Sequence, residues 1–65
     1  MRFALYVSVE NAAFEDEARE DELARILSDL AGRLGSDTRL VPNEPIRLSD
    51  INGNRVGFAV LEKEA

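Results

Sequence analysis

The chain has 65 residues, 13 of them acidic and 8 basic, a formal net charge of -5, and neither cysteine nor histidine. Its length supports one hydrophobic core, because a chain of about 60 residues buries only about 60% of the surface it exposes when unfolded. The missing residue types exclude disulfide scaffolds, the common zinc ligand sets, thiol nucleophiles and histidine-based acid–base catalysis.

With 45% hydrophobic and 32% charged residues, the composition is that of a folded domain. No run approaches the roughly 20 apolar residues of a membrane span. Met1-Arg2 leads into an alternating segment rather than a signal-peptide core, so an intracellular protein is expected. An acidic chain is repelled by nucleic acid and by anionic lipid, so neither is expected as a direct partner.

From Arg2 to Glu10 the apolar residues Phe3, Leu5, Val7 and Val9 alternate with Arg2, Ala4, Tyr6 and Ser8. Period two with β-branched and aromatic residues predicts a half-buried strand. From about Glu15 to Leu34 the period lengthens, and Leu23, Ile26, Leu27, Leu30 and Leu34 fall on one helical face. Three acid-then-base pairs at i, i+4 (Glu15 and Arg19, Asp21 and Arg25, Asp29 and Arg33) support that helix. Gly35 supplies its left-handed stop.

The polar connector Ser36 to Glu44 follows, in which Leu40-Val41 is expected to dock on the core or add a short extended stretch. Pro45 cannot donate to a ladder and so opens a strand or lies on an edge. Ile46 to Ile51 and Arg55 to Glu62 read as two strands of a hairpin. A two-residue Asn52-Gly53 turn would set Leu48 opposite Gly57. A three-residue Asn52-Gly53-Asn54 loop, with Asn54 left-handed, sets Leu48 opposite Phe58 and Ile46 opposite Val60 and gathers all large apolar groups on one face. The second register is preferred.

The expected fold is therefore α+β, a single domain over residues 1–65 in the order β-α-β-β, with one amphipathic helix on one face of a three-stranded sheet that contains a C-terminal hairpin. Phe3, Leu5, Val7, Val9, Ile46, Leu48, Val56, Phe58 and Val60 would pack against the helical stripe, with Phe14 plugging one end. The other sheet face would carry Ala4, Tyr6, Gly57, Ala59 and Leu61, an apolar set. Tyr6, Ala59 and Leu61 are therefore candidates for a homodimer face.

Asp50-Ile51-Asn52-Gly53-Asn54 invites a calcium-loop reading, but the glycine is misplaced and the twelfth position is Leu61, so a hairpin turn is the better account. No cofactor loop or metal-ligand set is recognised, and no nucleophile–base pair points to an enzyme. Charge is the stronger signal. Glu10, Glu15, Asp16, Glu17, Glu20, Asp21 and Glu22 face only Arg19 in their window, which carries -6, while the rest of the chain sums to +1. Two or three acids suffice to complement a helix start. Seven form a negative array that a phosphate-gripping protein surface would bind.

The segments Asn11-Ala-Ala-Phe14, Glu22-Leu-Ala-Arg-Ile-Leu27 and Asp50-Ile-Asn-Gly-Asn-Arg-Val-Gly57 resemble those of small, mostly uncharacterised bacteriophage and prophage proteins. In size, acidity and lack of catalytic apparatus the chain is also similar to anti-CRISPR proteins. That resemblance implies the cytoplasm of a bacterial host as its location. It also implies an inhibitor that occupies a nucleic-acid-handling host protein or CRISPR–Cas effector subunit, and the localised charge gives the seven acidic residues as the binding surface, with DNA mimicry as the expected means. A non-catalytic homodimeric interaction module of a mobile element, with no inhibitory role, is the alternative.

Overall fold

The computed structural model describes residues 1–15 and 18–63. The alternating segment forms β1 (Arg2–Val7), shorter at its end than the pattern suggests. Asn11 then caps a single 3-10 turn, Ala12–Phe14, its Oδ1 accepting from the Ala13 amide at 3.1 Å. The turn buries Phe14 to 1% exposure, as expected of a plug for the core. Helix α1 (Ala18–Arg33) follows and ends before Gly35, whose φ of +79° is the left-handed conformation that its lack of a side chain allows. The hairpin consists of β2 (Ile46–Ser49) and β3 (Arg55–Glu62).

Both β1 and β2 pair antiparallel with β3, giving the spatial order β1-β3-β2. The two outer strands therefore run parallel to each other with β3 between them. A connection between parallel strands must cross a face of the sheet. Helix α1 is that crossover, so one face is covered and the other is left to solvent. This is the α+β architecture that the sequence predicts.

Buried Phe14, Ile26, Leu30, Leu48, Val56 and Ala59 form the core, with Leu5, Val7, Ala13, Leu23, Leu34 and Ile46 packed around them. The helix is rotated from its predicted stripe. Glu22, Ile26 and Leu30 are its buried residues, whereas Leu27 is 49% exposed. Phe3 and Val9 are also exposed, as are Leu40 and Val41, which join no strand. Pro45 stands immediately before β2, an edge strand, where its missing N–H costs nothing.

The hairpin corrects the predicted register. Asp50 N donates to Asn54 O at 2.9 Å and Gly53 N donates to Asp50 O at 3.0 Å, so the loop is Ile51-Asn52-Gly53. Its left-handed residue is Gly53 at φ +85°, not Asn54; among the described residues the non-glycine left-handed residue is Asn43, in the connector. Ser49 pairs with Arg55 but Leu48 pairs with Gly57, which leaves Val56 as the extra residue of a bulge.

Beyond the bulge Ile46 pairs with Ala59, and Phe58 and Val60 lie on the side of the sheet opposite Ala59, Val60 still buried as expected at 9% exposure and Phe58 exposed. Side-chain volume explains the outcome. Ala59 is fully buried beneath the helix between Leu5 and Ile46, a position too thin for an aromatic ring. Gly57 is required for a related reason, since a Cβ there would overlap the Tyr6 carbonyl of the adjacent strand. Gly57→Ala should force β1 and β3 apart and cost about 1–3 kcal/mol, to be read as a lower urea midpoint with an unchanged m-value; a wild-type midpoint would show that the strands yield freely.

Candidate functional site

Among the described residues two acidic side chains are buried, and both hold the hairpin loop. Glu22 is 6% exposed and Asp50 is 5% exposed. Arg25, one turn after Glu22, donates to it from Nε at 2.7 Å and from Nη2 at 3.3 Å, and the Ile51 amide donates to Glu22 Oε2 at 2.7 Å. The same Arg25 Nη2 donates to the Ser49 carbonyl at 2.9 Å. Asp50 Oδ1 accepts from the Asn52 and Asn54 amides at 2.9 and 2.8 Å, and Oδ2 accepts from the side chains of Asn11 and Asn54 at 2.8 and 3.2 Å. A carboxylate has about four lone-pair sites, and here all four are engaged by N–H groups. Asp50 therefore shapes a turn and is not presented to a cation.

The segments Asn11–Phe14, Glu22–Leu27 and Asp50–Gly57 meet in this network, through Asn11, through Glu22 and Arg25, and through Asp50 and Asn54.

The network also divides the predicted acidic array. Glu22 is withdrawn from the candidate surface by burial and by its three N–H donors. Asp16 and Glu17 lie outside the described residues. Glu20 and Asp21 are exposed in the first turn of α1, and Glu10 and Glu15 are exposed in the segment leading to it. Among the described residues the ion pairs are Arg2–Glu62, Arg25–Glu22 and Arg33–Asp29, so none of these four acids is neutralised in one.

The predicted dimer face is not one face. Ala59 is fully buried, and Leu61, two residues along β3 and paired with Phe3, shares its side of the sheet. Tyr6 lies on the opposite side and is 49% exposed, paired with Phe58, which is 41% exposed. Their ring centroids are 5.0 Å apart at an interplanar angle of 37°. Sequence reading missed Phe58 here because the bulge at Val56 reverses its side. The extra residue left only a faint trace, the glycine at position 57.

Among the described residues no group of three or more acidic side chains is placed to hold a metal ion, and no helix is long and apolar enough to cross a membrane. Comparison with known proteins finds no matching family model, curated protein or solved structure.

Hydrogen bonds from Arg25 hold the Glu22 carboxyl below its ordinary range, aided by the Ile51 amide. Burial pushes Asp50 up, but its N–H donors, led by Asn54, outweigh burial and leave it lowered as well. Depressed folded-state values mean that the unfolded chain binds protons first as pH falls. The stabilisation from both groups is thus complete above the ordinary carboxylate range and is lost as pH falls through that range toward the folded values. Urea midpoints measured from pH 7 down to acid should fall steeply for the wild type and more gently for Glu22→Gln, which starts from a lower midpoint at pH 7. Parallel curves would show that Glu22 does not carry the acid sensitivity.

Proposed function

We propose that the protein is a non-catalytic binding module that docks, through the acidic start of its helix, on a basic, nucleic-acid-gripping surface of a host protein. The observation that carries this reading is the exposure of Glu10, Glu15, Glu20 and Asp21 around one end of α1, with none of them in an ion pair among the described residues. Glu20 and Asp21 are neighbours in the first turn of α1, and Glu10 and Glu15 stand in the segment that leads to it. Four like charges on so short a stretch of chain set up a local negative potential that attracts a cluster of lysines and arginines. The described groups whose titration the fold shifts, Glu22, Arg25 and Asp50, are engaged in structural bonds. What remains on the surface recognises charge rather than performing chemistry.

The resemblance to small phage and anti-CRISPR proteins supports the same reading. It suggests a CRISPR–Cas effector subunit as one form of the partner and occupation of a nucleic-acid path as the means of inhibition. Glu15→Lys, Glu20→Lys and Asp21→Lys together change the surface without touching Glu22. Affinity capture from a bacterial extract, read by mass spectrometry, should retain a nucleic-acid-handling protein on the wild type. The triple variant, with an unchanged circular dichroism spectrum, should lose it. Equal capture by both would remove the electrostatic basis of the proposal. The complex should also dissociate as salt rises, because exposed charges are screened over about 8 Å at physiological ionic strength.

A further inference from the structure

The sheet face away from the helix has the opposite character from the acidic end. Register places Arg47 directly beside Phe58 and Arg55 beside Ser49 on this face, and both arginines are exposed. With Pro45 and Gly57 they line a groove of about 280 Å³ against the Phe58 ring. Arg2 adds a further positive charge on the same face, bridged to Glu62 at 3.2 Å, and the Tyr6 hydroxyl also donates to Glu62 at 3.2 Å. Locally, three arginines stand against one glutamate, in a chain whose total charge is negative.

We infer that this face binds single-stranded nucleic acid, with a base stacked on Phe58 and the backbone phosphates held by Arg47 and Arg55. Exposed aromatic rings on a sheet are what unpaired bases stack on, and guanidinium groups beside them supply both phosphate contacts and cation–π attraction. The Tyr6 contact braces the Phe58 ring, so less freedom is lost when a base covers it. A second copy fits this face poorly, because a two-fold contact would oppose arginine to arginine. The acidic end of α1 does not cancel the attraction, since the sheet separates the helix from this face and charges beyond about 8 Å are largely screened. Duplex DNA fits poorly too, because its bases are not available for stacking.

This inference is independent of the proposed host partner and is tested on the isolated protein. Fluorescence anisotropy with labelled oligothymidylate at physiological ionic strength should give saturable binding with a dissociation constant of about 0.1 mM or tighter, the range of non-specific complexes. Labelled duplex DNA and poly-glutamate should bind more weakly. Phe58→Leu, which keeps apolar bulk but removes the ring, should weaken oligothymidylate binding at least about fivefold, the low end of one base–aromatic stack. Arg47→Gln and Arg55→Gln should each lower the slope of log affinity against log salt by about 0.7. Absence of binding, equal affinity for the duplex, or preference for poly-glutamate would overturn the inference, the last by giving the face to an acidic protein. Sedimentation showing self-association that Phe58→Leu abolishes would overturn it in favour of a second copy.

Discussion

Everything in this small domain depends on one helix carboxylate that points inward. Glu22 stands on the face of α1 that also carries Ile26 and Leu30, and its oxygens take the Arg25 guanidinium and the Ile51 amide. An isolated buried carboxylate would cost several kcal/mol. With three N–H donors it becomes a joint between the helix and the hairpin. Arg25 extends the joint to the Ser49 carbonyl, and Arg33, two turns on, donates likewise to the Arg47 carbonyl at 3.2 Å. These carbonyls are two residues apart on edge strand β2, so the helix arginines cover part of an edge that would otherwise be open for pairing. Rotation of the helix away from its predicted stripe, with Leu27 exposed, follows from the same joint.

Asp50 performs the corresponding task inside the loop. By accepting from Asn11 it ties the end of the first strand to the hairpin turn, and by accepting from Asn52 and Asn54 it shapes the turn itself. Two buried acids thus connect segments that are distant in sequence, in a domain too small to rely on apolar burial alone. Such an arrangement specifies one register of the hairpin, because a shifted loop would strand one carboxylate without donors.

The division of charge follows from this geometry. Glu22 and Asp50, which accept backbone amides, are internal; Glu10, Glu15, Glu20 and Asp21 are gathered near the start of the helix; and Arg2, Arg47 and Arg55 stand on the open sheet face. The molecule is therefore polar in the electrostatic sense, with a negative end on the helix and a positive, aromatic face on the sheet. Net charge alone hides this. A chain of -5 would be expected to repel any polyanion, whereas one of its faces is locally basic.

Much of the fold was legible in the order of residues. Alternation in Phe3, Leu5 and Val7, the helical spacing of Leu23, Ile26 and Leu30, the stop at Gly35 and the punctuation by Pro45 and Gly53 are local patterns, and local patterns decide which segments become strand, helix or turn. The plug Phe14 was also anticipated. What the order of residues did not reveal was side. A single extra residue at Val56 reversed Phe58 and Ala59, and hydrophobicity alone favoured placing the larger one inside. Burial of Glu22 was equally hidden, because a glutamate in an acidic run looks solvated until Arg25 and the Ile51 amide are brought to it. Sequence determined the elements and their order; the tertiary structure decided which faces meet, since the space under the helix and the position of hydrogen-bond donors exist only once distant segments are packed together.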